Sequence, residues 1–262
     1  MIKLHGKVVE VKKFPNGESF INIKDLEILE AINEIKFKFE SDDDITHLMF
    51  LKNHLDEKRA KAKLIIGYMP YSRMDRTEWM RVFTLKYIAK LINSLNFEEV
   101  IVYEPHSDVT MALLDRARQV DMSAEIGLEL VNKLKGVYIV YPDAGAAKRY
   151  SKQIKYDKIL TANKERDFET GNIKSLEVNG QIKEKDFNAV IIDDLCSKGG
   201  TFILTANKLK ELGAKDIYLV VTHTENTIFE GSILNTDLIK EVYTTNSILS
   251  RQDKKIIIKE II

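Results

Sequence analysis

The chain has 262 residues, 44% hydrophobic and 31% charged, which is enough apolar matter for a core in one or two domains and too much for a chain disordered along its length. Forty Lys and Arg balance forty Asp and Glu, so bulk attraction to nucleic acid or to a membrane surface is not expected. Cys196 is the only cysteine, which excludes an internal disulfide and a cysteine-built zinc site. No membrane-length apolar run and no leader-like start is read from the sequence, so a cytoplasmic protein is expected.

In chain order, the first punctuation is Phe14-Pro15-Asn16-Gly17-Glu18, a turn. Residues 64–69 form a short apolar strand that stops at Pro70. Residues 79–95 follow with apolar positions at helical spacing, and Trp79 is read as core. A second apolar strand, 100–103, ends before Pro105. Residues 127–136 read as a helix and connector near a domain boundary, and 137–141 is a third strand, closed by Pro142. Proline suits strand ends and turns and is disfavoured inside strands and helices. Residues 155–186 are highly charged and read as a surface excursion, or as a closing loop if the protein is an enzyme. Strand 189–192, helix 201–212 with Gly213 as its stop, and strand 217–221 complete the pattern. Runs apolar on both faces, alternating with helices, predict an α/β fold with mainly parallel sheets. Two similarly built halves are expected, 1–122 and 123–262.

The segment richest in chemistry is Asp193-Asp194-Leu195-Cys196-Ser197-Lys198-Gly199-Gly200-Thr201. Two carboxylates at a strand tip can accept hydrogen bonds from vicinal ribose hydroxyls. Paired glycines opening a helix let backbone N–H groups face an anion. That combination suits a sugar phosphate; the alternative is a helix-capping turn with two exposed acids.

This segment resembles the 5-phosphoribosyl diphosphate motif shared by type I phosphoribosyltransferases and ribose-phosphate pyrophosphokinases. Tyr71-Ser72-Arg73-Met74-Asp75-Arg76, Glu104-Pro105-His106-Ser107-Asp108, Pro142-Asp143-Ala144-Gly145-Ala146-Ala147-Lys148-Arg149 and Lys164-Glu165-Arg166 each resemble a pyrophosphokinase motif, in family order. The resemblance implies two phosphoribosyltransferase-like domains, the first binding ATP and the second a ribose phosphate. It implies transfer of a diphosphoryl group from ATP to the anomeric hydroxyl of ribose 5-phosphate, with AMP leaving and Mg2+ as cofactor.

By the same resemblance, Phe14, Asn16 and Glu18 form an adenine platform across a subunit interface, with an ordinary hairpin turn as the other reading. Arg73, Asp75, Arg76 and His106 contact ATP, or the arginines are a solvated charge cluster. Glu104, His106 and Asp143 are metal ligands. Asp143, Asp193, Asp194, Ser197, Lys198, Gly199, Gly200 and Thr201 hold the ribose phosphate. Ala144 and Gly145 belong to a diphosphate loop, and Lys164 and Arg166 stabilise the transition state. His5, His47 and His54 lie in no motif.

The chain departs from the family in being short, in lacking a strand-rich stretch between the adenine turn and Arg73, and in ending at Lys259-Glu260-Ile261-Ile262 without a closing helix. A homo-oligomer, a dimer in the first instance, is the expected assembly. In the sugar-phosphate loop, Ser197 and Lys198 replace the family's Asp-Thr, which removes a negative charge and adds a positive one. A second acceptor, ADP-ribose, whose pyrophosphorylated product would serve NAD salvage, is therefore weighed beside ribose 5-phosphate. A non-catalytic regulatory homologue is a further alternative.

Overall fold

A computed structural model describes residues 1–24, 26–29, 31–77, 80–166 and 173–262, the side chains of 164–166 and 173–175 excepted. The chain divides into two compact units, Met1–Val120 with Ile261–Ile262, and Asp121–Glu260.

The first unit runs β1 (Ile2–Leu4), β2 (Lys7–Val8), β3 (Glu10–Lys13), β4 (Ser19–Asn22), β5 (Ile32–Phe37), α1 (Asp43–Glu57), β6 (Lys61–Ile66), α2 (Thr84–Ser94), β7 (Glu99–Tyr103), α3 (Asp108–Leu113) and β8 (Ala117–Val120). Its sheet has the order β2-β1-β5-β6-β7-β8. β5 to β8 are parallel, and β1 is antiparallel to both its neighbours. β3 and β4 form a separate hairpin. Ile35, Leu55, Leu64, Leu85 and Val102 are wholly buried in the core of the first unit.

The stretch before Arg73 is not strand-poor, contrary to expectation: β4, β5 and β6 lie there with α1. β5 escapes a search for apolar runs because it alternates, burying Asn33, Ile35 and Phe37 and turning charged residues outward. In α1 the buried stripe of Leu48, Leu51 and Leu55 is interleaved with charge, and His47 and Lys52 share it.

The second unit runs α4 (Met122–Lys133), β9 (Val137–Tyr141), α5 (Ala144–Tyr150), β10 (Ile159–Arg166), β11 (Ile173–Asn179), β12 (Phe187–Cys196), α6 (Gly200–Glu211), β13 (Ala214–Thr224), two 3₁₀ turns (Asn226–Glu230 and Ile233–Asn235), β14 (Glu241–Thr245) and β15 (Ile256–Lys259). The sheet order is β11-β10-β9-β12-β13-β14-β15. Only the edge pair β10–β11 is antiparallel. The central strands carry Ile139, Val140, Val190, Ile191, Ile192, Leu219, Val220 and Val221, all wholly buried, as a parallel sheet covered on both faces requires.

Three boundaries move. Within the charged stretch 155–186, expected to be a surface excursion, β10 and β11 pair antiparallel at one end of the sheet. An edge strand tolerates charge because one side of it stays in water. β12 does not end at Ile192: it runs on through Asp193 and Asp194 to Cys196, hydrogen-bonded in register with β13 as far as Thr224. The unit boundary falls at Val120/Asp121, because Asp121 already stands at the start of α4. Ile261 and Ile262 return to the first unit, where their carbonyls accept from Lys36 Nζ at 3.0 Å and Lys3 Nζ at 3.1 Å. Among the described residues no helix is long and apolar enough to cross a membrane.

Candidate active site

In the second unit, parallel strands bring β9 and β12 side by side, so the loops at their carboxyl ends become neighbours. Asp143 follows β9 and Asp193 lies near the end of β12, and both line one cleft of about 490 Å³. Its remaining wall is Leu195 and the continuous stretch Ser197 to Phe202. This is the crevice at strand ends where α/β folds bind ligands.

The loop is shaped for an anion. Gly199 takes φ +81°, a left-handed turn that a side chain resists, and a Cβ there would lie 2.0 Å from Ile233 Cδ1. The turn aims the chain into α6, whose first N–H groups have no partners inside the helix and whose dipole favours negative charge. Gly200 has open space where a side chain would stand. Thr201 lines the cleft from the first turn of α6.

Asp143 caps α5, its Oδ1 accepting from Ala146 N at 3.0 Å. Ala144 and Gly145 are the first two residues of that helix, and a Cβ at Gly145 would press on Asp143 Oδ1 at 3.2 Å. Asp193 is half-buried. Burial foremost, then the negative charges of Asp194 and Asp143, holds its carboxyl well above the ordinary carboxylate range.

The two acids are linked, Asp194 N donating to Asp193 Oδ1 at 2.9 Å, but their carboxyls have different surroundings. Asp194 is buried and ion-paired, its Oδ2 3.0 Å from Arg149 Nη1, and it is not part of the cleft wall. Successive strand residues address different surroundings. Lys198 reaches away to Glu230, Nζ to Oε2 2.9 Å, with both side chains largely exposed. Cys196 is buried, and burial pushes its thiol up.

In the first unit, Tyr71-Ser72-Arg73-Met74-Asp75-Arg76 follows β6 and Glu104-Pro105-His106-Ser107-Asp108 follows β7. The structure joins them at Asp75. Arg76 Nε donates to Asp75 Oδ1 at 2.8 Å. Burial alone would raise the Asp75 carboxyl, but hydrogen bonds from Arg76 and Ser107 outweigh it and leave the group below its ordinary value. Ser107 also caps α3, its Oγ accepting from Val109 N at 3.2 Å. Ser107→Ala is expected to cost about 1 kcal/mol through the lost cap, read as a lower urea midpoint for unfolding.

Tyr71 sits at φ +60°, and its hydroxyl is hydrogen-bonded to Asp42 before α1, which raises it to about 12. Glu104 is buried with φ +39°. Among the described residues no three His, Cys, Asp or Glu side chains form a metal cluster. Of the expected ligands, Glu104 and His106 belong to the first unit and Asp143 to the second.

The hairpin turn forms a different groove of about 440 Å³, lined by Phe14, Gly17 and Glu18 together with Asp43, His47 and Phe50 of α1. Asn16 Nδ2 donates to Glu18 Oε2 at 2.6 Å and locks the turn. Phe14 is 52% exposed and packs on Phe20, ring centroids 4.7 Å apart. Lys164 and Arg166 end β10, and their side chains, like Trp79, lie outside the described residues.

The chain is 30% identical over 270 residues to the ribose-phosphate pyrophosphokinase of Pyrococcus abyssi, an alignment covering 100% of this chain and 92% of the relative. The chain belongs to the ribose-phosphate pyrophosphokinase family. The Bacillus subtilis ribose-phosphate pyrophosphokinase is 30% identical over 258 residues, covering 94% of this chain and 79% of its own. The family profile of the phosphoribosyl synthetase-associated domain matches residues 148–261. The crystal structure of phosphoribosylpyrophosphate synthetase from Mycobacterium smegmatis has the same fold, with a TM-score of 0.75 at 18% identity, over 97% of this chain and 86% of that one.

Within this pyrophosphokinase, several residues around the candidate sites carry no motif of their own. Ser123 Oγ, buried on α4, lies 2.8 Å from both the Asp193 carbonyl and Thr222 Oγ1, tying the end of β12 to β13. His47 lines the hairpin groove without standing in any motif. Arg149 was legible only as the end of the diphosphate-loop match; nothing in its neighbourhood announces Asp194 as its partner.

Proposed function

We propose that the chain transfers the β,γ-diphosphoryl group of ATP to the anomeric hydroxyl of ribose 5-phosphate, forming phosphoribosyl diphosphate and AMP. The observation that carries this reading is the cleft of the second unit. There Asp193 and Asp143 face the same space as the Gly199–Gly200 turn and the start of α6. The ribose-phosphate pyrophosphokinase names of the relatives support the same reaction.

In this reading the loop N–H groups take the 5-phosphate, and Asp193 accepts hydrogen bonds from ring hydroxyls. Arg73, Arg76 and His106 bind the nucleotide phosphates, with Asp75 holding the Arg76 fork in place. Phe14, Asn16 and Glu18 offer an exposed ring and a locked turn for adenine. Lys164 and Arg166 supply positive charge to the transition state. The anomeric oxygen bonds to the β-phosphorus, the bond from that phosphorus to the α,β-bridging oxygen breaks, the hydroxyl proton is lost and AMP departs. The protein's work is positioning and charge neutralisation.

Mg2+ fits the donor set. Burial, then the charges of Asp194 and Asp143, raises the Asp193 carboxyl, and a cation between Asp143 and Asp193 would relieve the part due to charge. Mg2+ takes most of its oxygens from phosphates and water and needs few protein ligands. When bound, Mg2+ neutralises the polyphosphate.

Lys198 bears on the acceptor. Its added charge is partly offset by Glu230, which weakens the loop's pull on a more anionic group such as ADP-ribose. An exposed pair of this kind is worth about 0–1 kcal/mol. Lys198→Ser is therefore expected to hold ribose 5-phosphate turnover within about fivefold. ADP-ribose turnover by the wild type that disappears in this variant would restore the alternative acceptor.

The central test measures AMP formed from ATP and Mg2+ with and without ribose 5-phosphate. Acceptor-dependent AMP is the expected result. Diphosphate release that needs a base and no ATP would make the protein a phosphoribosyltransferase, and ATP binding without turnover would make it a regulatory homologue.

A further inference from the structure

The sugar-phosphate loop is packed against a segment, residues 225–231, whose members do not line the cleft. We propose that this segment is a brace that sets the loop's peptide planes for the sugar phosphate, with Gly231 and Thr227 as its positioning residues. The proposal rests on the reading of the cleft given above.

Gly231 has ordinary backbone angles, φ −90° and ψ −175°, open to any residue. Only space demands glycine there: a Cβ would lie 2.0 Å from the Lys198 carbonyl oxygen and 2.9 Å from its carbon. The obstacle is backbone, which cannot swing aside as a side-chain end can. A planar trans peptide places its carbonyl and its N–H on opposite sides. Seating the Lys198 carbonyl against Gly231 therefore turns the Gly199 N–H away from the brace, and Gly199 follows with its left-handed φ.

Thr227 works through hydroxyl bookkeeping. Its Oγ1 donates to Glu225 Oε2 at 3.1 Å, and Ser197 Oγ lies 3.0 Å from the same Oγ1. A hydroxyl has one proton, so with Thr227's given to Glu225, Ser197 donates to Thr227. Ser197 then points its proton at the brace and not at a phosphate, which makes it a positioning residue rather than a donor to the ligand.

The brace is itself anchored. Glu225 N donates to the Cys196 carbonyl at 2.8 Å. Asn226 exchanges hydrogen bonds with Ser250 at 2.8 and 3.2 Å, and the Arg251 guanidinium stacks 3.9 Å over Phe229.

The test compares the full-length wild type with Gly231→Ala, Thr227→Val and Thr227→Ser by two readouts. Amide hydrogen exchange without ligand reports the loop directly through Phe202 and Ile203, whose N–H groups donate to the Gly199 carbonyl. Steady-state kinetics with ribose 5-phosphate and ATP report its consequence. Gly231→Ala is expected to speed exchange across 197–203 and raise KM for ribose 5-phosphate about 10- to 100-fold, the scale of an ångström-level misplacement. Thr227→Val is expected to raise it about three- to tenfold, as the loss of a hydrogen bond allows, and Thr227→Ser to behave as wild type. KM for ATP stays within about twofold in each.

Unchanged exchange and KM in Gly231→Ala and Thr227→Val overturn the brace, and so does a Thr227→Ser variant as impaired as Thr227→Val. Should Gly231→Ala fail to fold, the Thr227 pair decides. If the wild type does not turn over ribose 5-phosphate while exchange still responds as expected, the substrate reading falls and the brace stands.

Discussion

Asp193→Asn is expected to melt at a higher temperature than the wild type at pH 8 in EDTA while losing about 10- to 100-fold in kcat/KM for ribose 5-phosphate, the worth of a hydrogen bond to a charged group. The stability half follows from the carboxyl's surroundings. Burial and the charges of Asp194 and Asp143 raise its pKa in the folded state. Between the unfolded and the folded pKa the native protein therefore holds more of a proton than the unfolded chain. Stability falls as pH rises through that window and stays reduced above it. Asparagine carries no charge and escapes the penalty. The gain in melting temperature is expected to shrink as the pH drops towards the ordinary carboxylate range, where Asp193 is protonated in both states. Melting curves from pH 4 to 8 check the sign, and an Asn variant that melts lower at pH 8 would refute the account. Both outcomes together would mark a site at odds with its scaffold, as functional sites often are.

Arg149→Leu is expected to destabilise the second unit by about 2–3 kcal/mol at pH 7. It leaves the buried Asp194 carboxylate without the guanidinium 3.0 Å away. Breaking a fully buried pair costs about 3–5 kcal/mol, and the figure is set lower because the Arg149 side chain is 25% exposed. Urea unfolding measures the loss. Asp194→Asn in the Arg149→Leu background is expected to recover about 1 kcal/mol or more, the non-additivity of residues in contact. A loss under about 0.5 kcal/mol in the single variant, typical of an exposed pair, would show that Arg149 does not support Asp194.

The sequence by itself determined the α/β class, the central strands and the sugar-phosphate turn. Each is written in neighbouring residues. Val190-Ile191-Ile192 can be satisfied only where both faces are covered, and Gly199-Gly200-Thr201 combines a left-handed turn with a helix start. It also placed Asp193 and the Gly199–Thr201 turn in one motif, and the structure puts them on one cleft wall. Other features depended on tertiary structure. β5 hides in an alternating pattern, and β10 and β11 hide in a charged stretch, because edge and one-sided strands need no apolar run. The ion pair of Asp194 depends on Arg149, that of Lys198 on Glu230, and the seating of the loop on Gly231. Those partners lie 30 residues or more along the chain from the groups they govern. Local propensity and spacing carry no information about such pairs, which meet only when parallel strands lay their carboxyl-end loops side by side.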